Sequence, residues 1–212
     1  MTQGHAPSTR RSRSRPAAPA AAPPGGTALY GATVEYGVHC LLFLARPLDN
    51  PASSRELAEL QGVSPTQVAK IFPKLEKAGL VIATGGISGG YRLARDAADI
   101  SVLDVIDAVE GDRRLFDCKE VRGNCALFGG VTPDWAVAGV CAVHAVMLRA
   151  EKSMRAEMGR TSILDLAEGM YRKAPADFGP DVARWLGDRA TGREASRIRA
   201  VRAGSRRRAA DG

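Results

Sequence analysis

The chain has 212 residues, 45% of them hydrophobic and 5% aromatic, with a formal net charge of +7. That is length enough for one domain with tails, and no apolar run approaches the ~18 residues that span a bilayer, which excludes a helical membrane protein. Arg10, Arg11, Arg13 and Arg15 precede PAAPAAAPPGG, which proline interrupts, so this is not a secretory apolar region and the expected location is cytoplasmic.

The excess charge sits in the tails. Residues 1–29 and 174–212 each carry a net +4, which leaves −1 for everything between. Basicity alone therefore says little about a specific nucleic-acid site. Within the middle, however, residues 55–95 hold six cations against three acids and residues 96–120 three against eight, so one end of the domain is positive.

Residues 1–28 are rich in Pro, Ala, Gly, Ser and Arg and are expected to be a disordered basic tail. From Thr33 to Arg46, Val34, Val38, Leu41, Leu42 and Ala45 recur at helical spacing, with Phe43 and Leu44 on other faces, so this helix should be largely buried before Pro47 ends it. Glu35 and His39 stand four apart on one side of it, a spacing that suits two ligands of one metal. An ordinary first-turn acid and a packed core histidine account for the same pair.

The stretch SSRELAELQGVSPTQVAKIFPKLEKAGLVIATGGISGGYRL, Ser53 to Leu93, reads as two helices, a tight turn and a hairpin. Ser53 with Glu56 and Ser64 with Gln67 offer capping pairs, and Pro65 suits the first helical position. Gln61-Gly62-Val63 is the short turn of a helix-turn-helix. In the second helix Val68, Ile71, Phe72 and Leu75 form an apolar stripe. Ser64, Thr66, Gln67 and Lys70 remain outward, the small, amide and cationic side chains that reach base edges and phosphates in a major groove. Pro73 is expected to bend this helix beyond its DNA-reading part. Leu80–Ala83 and Tyr91–Leu93 are strand-like runs around GGISGG, a glycine-tipped wing. GGISGG is not a phosphate loop, because a strand rather than a helix follows it.

Ser101 and Asp104 open a helix ending at Gly111. Cys118, Cys125 and Cys141 then follow with six and fifteen residues between them, and His144 stands three positions after the last. Such a set in a cytosolic chain points to a metal or redox centre, with reduced, unliganded thiols as the plain alternative. Cys40 reads as a small buried residue. From Val143 through Met147, Ala150, Met154 and Met158 the steps of three and four make a narrow seam, so a homodimer through this helix is expected. A short capped helix covers Thr161 to Met170, and residues 174–212 are expected to be a mostly disordered Arg-rich tail in which Val182–Leu186 form at most a turn of helix.

Taken together, VEYGVHCLLFLA, SRELAELQGVSPTQVAKIFPKLEKAGLV, GGY, ISVLDVIDAVEG, the cysteine loop, the long helix and TSILDL resemble, in that order, the Rrf-type (IscR- and NsrR-like) winged-helix regulators over residues 30–170. The resemblance implies a mainly α fold with a small β wing, divided as a winged helix-turn-helix DNA-binding domain (29–111), a cysteine-bearing loop (112–138) and a dimerisation helix with a short capping helix (139–173). It implies a homodimeric repressor binding a double-stranded DNA operator, with Gly90, Tyr91 and Arg92 of the wing joining the helix residues. It also implies an iron–sulfur cluster, [2Fe-2S] in preference to [4Fe-4S], on Cys118, Cys125 and Cys141. The fourth ligand is then Glu35 from a second subunit or His144. A cluster-free regulator sensing by cysteine oxidation is the alternative. The chain departs from the family pattern in its longer Cys125–Cys141 gap, in Gln67 where many members have tyrosine, and in Gly86 where a wing arginine is common, so an operator preference does not carry over. No nucleophile–base constellation of an enzyme is present.

Overall fold

The computed structural model describes residues 28–85 and 89–210. The expected disordered tail, up to residue 27, and Gly86 at the wing tip lie outside that range. At the centre is α1, Ala32–Leu44, with Val34, Gly37, Cys40, Leu41, Leu42, Phe43 and Leu44 all buried. It is apolar on almost every side because α3 (Pro65–Lys77), α4 (Val102–Glu110) and α7 (Ile163–Lys173) pack against it. Gly37 lets it approach closely: a Cβ there would stand 3.4–3.5 Å from Val105, Ile71 and Val109.

Helix α2 spans Ser54–Gln61 and carries the expected capping box, Ser53 accepting from the Glu56 N–H while Glu56 accepts from the Ser53 N–H. It stops at Gly62, whose φ of 68° is the left-handed conformation that turns the chain into the next helix. Helix α3, Pro65–Lys77, buries Val68, Ile71, Phe72 and Leu75 as the spacing predicts and runs on through Pro73. One expectation fails here. Ser64 makes no side-chain cap, so Pro65 starts the helix with its missing N–H, and the Ser64 and Gln67 side chains stay exposed.

The hairpin pairs β1, Val81–Thr84, with β2, Gly90–Leu93, antiparallel in the register Val81↔Leu93 to Thr84↔Gly90. Ala52 adds a bridge to Tyr91, so the segment before α2 forms a third rung of the wing. Helix α4, Val102–Glu110, and helix α7, Ile163–Lys173, both begin with Ser–Asp capping boxes. Helix α7 is capped by Ser162 and starts at Ile163, two residues after the expected Thr161. Their first turns are tied by Val102 N–H to Thr161 O and Ile163 N–H to Ile100 O, at 2.9 and 2.8 Å. The short α5, Asp134–Val137, and the long α6, Ala142–Arg160, lie between them.

The C-terminal segment differs most from expectation: α8 runs from Phe178 to Ala210 instead of being mostly disordered. Composition misleads here because alanine and arginine favour helix as strongly as they favour solvent, and Val182, Leu186 and Ala190 form a buried stripe at steps of four. Tyr171 carries the start of α8 through ring contact with Phe178. Arg193 then pairs with Glu56, both nearly buried, and donates to Pro51 O at 3.1 Å.

Candidate functional site: a helix-turn-helix face and a cysteine loop

At the start of α3 the side chains of Ser64, Thr66, Gln67 and Lys70 are all exposed, while Val68, Ile71, Phe72 and Leu75 are buried. Their placement is what a helix entering a groove needs: one side held by the core, the other free to donate and accept hydrogen bonds. The wing residues have other work. A Cβ on Gly90 would lie 2.8–2.9 Å from the backbone of Ala52, so only glycine allows the Ala52–Tyr91 bridge. The Tyr91 ring rests on Phe72 with centroids 4.4 Å apart, and the resulting desolvation raises its hydroxyl above the ordinary pKa. Arg92 donates to Leu48 O and Asp49 O at 2.6 and 2.9 Å. Gly90, Tyr91 and Arg92 thus lock the wing to α3 and to the α1–α2 connection.

The cysteine loop is stitched by Arg122, a residue that sequence reasoning missed. Its guanidinium meets both Glu120 oxygens, at 2.5 and 2.8 Å, and donates to Val137 O, Ala138 O and Gly139 O at 3.0–3.3 Å. The pair holds the Glu120 carboxyl below the usual carboxylate range. Glu120 has a φ of 49° and is the sole non-glycine residue with positive φ among those described, a conformation the bidentate pair sustains. By joining 120–122 to 137–139, Arg122 brings Cys118 and Cys141 to one cavity of about 290 Å³, which also opens onto Phe116 and Val143. The sequence hints at it only through two cations, Lys119 and Arg122, placed between Cys118 and Cys125.

His144 stands beside this cavity, its ring 6.1 Å from that of Phe116. Cys125 is exposed and is not among the cavity's lining residues. Glu35 and His39 are both exposed on α1, so His39 is not a packed core histidine. The thiols and imidazole have the soft-ligand chemistry of an iron–sulfur site. Among the described residues, however, no three His, Cys, Asp or Glu side chains converge closely enough to hold a metal ion. The single chain therefore gathers two of the expected ligands and not the set.

Cys40 is fully buried and takes a hydrogen bond from Gln61 Nε2 at 3.0 Å; burial pushes its thiol up to about 12. Its thiolate at pH 8 is thus about a thousandfold scarcer than that of an ordinary cysteine at 9.0. Iodoacetamide should modify Cys125 first and leave Cys40 untouched until the chain unfolds, as peptide mapping by mass spectrometry will show.

Two side-chain links tie the end of α4, where the cysteine loop begins, to α3 and to α1. Lys74 of α3 donates to Val109 O at the end of α4, 2.7 Å away. The next residue, Glu110, accepts from Thr33 Oγ1 at 3.1 Å and pairs with Arg113 at 2.9 Å. Helix α6 is anchored to α4 by Arg155, bidentate on Asp107 at 3.1 and 2.8 Å. None of its nineteen residues is buried, and Val143 and Val146 are exposed.

Residues 30–169 match the family model described as Rrf2, an iron-dependent transcriptional regulator. The chain is 33% identical over 132 residues to protein rrf2 of Nitratidesulfovibrio vulgaris, covering 62% of this chain and 81% of that one. It is 38% identical over 97 residues to the HTH-type transcriptional regulator IscR of Photobacterium profundum, covering 45% of this chain and about half of that one, 55%. Among solved structures, T. potens IscR superposes with a TM-score of 0.51 at 26% identity, over 69% of this chain and 91% of that one. CymR of B. subtilis gives 0.53 at 21% identity over 67% and 98%, a likeness of fold. No helix among the described residues is long and apolar enough to cross a membrane.

Proposed function

The chain belongs to the Rrf2 family of transcriptional regulators, and from that premise we propose a homodimeric repressor that reads an operator with Ser64, Thr66, Gln67 and Lys70 and senses redox state, nitric oxide or iron–sulfur supply through its cysteine loop. The observation that carries the reading is the pairing of an exposed polar face on α3 with a two-thiol cavity at the far end of α4. Neither feature is explained by packing. Cys118, Cys125 and Cys141 would hold an iron–sulfur cluster, [2Fe-2S] by preference, with His144 or Glu35 of a second subunit as fourth ligand. Such a group, once bound, supplies reactivity toward oxidants and nitric oxide.

The chain's own part is to translate loop geometry into helix placement. Drawing Cys125 toward the cavity pulls on the segment that begins after Glu110, and Lys74 connects that end of α4 to α3. In a dimer, a small rotation of each α3 alters the separation of the two recognition helices, which must match half-sites spaced by the helical repeat of the duplex. A tenfold change in affinity needs only about 1.4 kcal/mol of bias between two arrangements. A second reading is favoured by one observation: Cys118 and Cys141 share the cavity while Cys125 does not. On it, oxidation of that pair to a disulfide replaces the cluster.

Protein purified without oxygen should show charge-transfer absorption in the visible range with stoichiometric iron and sulfide, and Cys118→Ala should abolish both the colour and the redox dependence of operator binding while far-UV circular dichroism is unchanged. Colourless, iron-free protein whose operator binding still responds to oxidant supports the dithiol reading. Equal redox sensitivity in Cys118→Ala would overturn both.

A further inference from the structure

Helix α8 lies beyond the segment matched by the family model, which ends at residue 169. Its course over the DNA-binding domain is fixed by two ion pairs. Arg189 meets Glu59 at 3.2 Å and Arg193 meets Glu56, so a step of four along α8 answers a step of three backwards along α2. The two helices are antiparallel. One turn further, Arg197 lines a cavity of about 370 Å³ with Ser53, Ser54, Thr84, Gly89 and Gly90. Helix α8 therefore passes the start of α2 and the wing, and its last thirteen residues carry it about 20 Å further at a rise of 1.5 Å per residue. Residues 195–210 include six arginines and no acid, whereas 178–194 carry three arginines and three acids. The part that packs on α2 is balanced in charge, and beyond Arg197 the helix carries five further arginines and, to residue 210, no acid.

In helix-turn-helix docking the first helix crosses the phosphate backbone while the second enters the groove. The start of α2 and the wing are thus the two places at which backbone flanks the groove, and the cationic end of α8 leaves the domain between them. We propose that this end of α8 is a second DNA-binding element, which neutralises phosphates beside the wing without regard to sequence. The proposal rests on the regulator reading given above. An acidic protein would also suit the arginines, but their position beside α2 and the wing favours the duplex.

Charge neutralisation makes a quantitative signature, because each phosphate contact adds roughly 0.9 to the slope of log affinity against log salt. The test compares the full chain with Arg202→Gln/Arg206→Gln/Arg207→Gln/Arg208→Gln, all well past Ala190, the last buried residue described. Glutamine retains helix propensity, and the corresponding four-lysine variant retains the charge. Binding is followed by fluorescence anisotropy on an operator duplex, chosen by selection from genomic fragments, and on a scrambled duplex. The expected result is a slope smaller by two or more and an affinity at least tenfold lower on both duplexes, their ratio unchanged, with the lysine variant behaving like the parent. An unaltered slope, a gain in affinity, or a changed ratio overturns the proposal. Absence of any operator preference in the parent chain counts against the regulator reading instead, while the scrambled duplex still measures the contribution of α8.

Discussion

On the proposed reading of a dimer bound to an operator, Gln67→Ala is expected to lower operator affinity by a hundredfold or more, and affinity for unrelated DNA hardly at all. Each well-placed bidentate contact to a base is worth about 1–3 kcal/mol, and a symmetric dimer makes it twice. Gln67 is exposed two residues after Pro65, and its neighbours Val68, Ile71 and Phe72 hold the helix, so the variant should fold as the parent does. Its amide also makes no cap with Ser64, which leaves both side chains available for recognition. Competition anisotropy with operator and scrambled duplexes reads the ratio directly. Should that ratio survive the substitution, α3 is not reading bases at this position.

Arg193→Ala should destabilise the fold by about 3–5 kcal/mol, the usual consequence of leaving one member of a buried ion pair alone. Glu56 is only 5% exposed and already accepts the Ser53 N–H at 2.8 Å, so it cannot turn outward without giving up the start of α2. Removing both charges together, as Glu56→Gln/Arg193→Met, should recover most of the loss, since no uncompensated charge remains. Urea denaturation followed by circular dichroism measures both variants. A loss below about 1 kcal/mol in the single variant would show that the pair contributes no more than a surface contact.

Much of the fold was legible because local signals and long-range packing agreed. The Ser53–Glu56 and Ser101–Asp104 boxes, the apolar stripe of α3 and the continuous apolarity of α1 each say locally what the core requires globally. Where they disagreed, reading failed. Arg-rich composition suggested solvent for residues 174–212, yet three small or branched apolar residues at steps of four, with Glu56 and Glu59 as partners on a distant helix, were enough to dock α8. Those partners are about 130 residues away in the chain, and no local pattern reveals them. At the candidate site, Cys118, Cys141 and His144 were nominated by residue type and do share one region. Arg122, which assembles it, bears no motif at all: its role comes from five hydrogen bonds, three of them to backbone carbonyls on the far side of the loop.

The nineteen-residue α6 has no buried side chain within its own chain. Within a protein most of a helix's stability comes from covering its apolar face. If a second copy covers it, folding of this region is a second-order event and its free energy follows mass action. The abundance of the protein would then set more than the occupancy of DNA: dilution would melt the helix that Cys141 caps, so scarcity would also disable the proposed sensor.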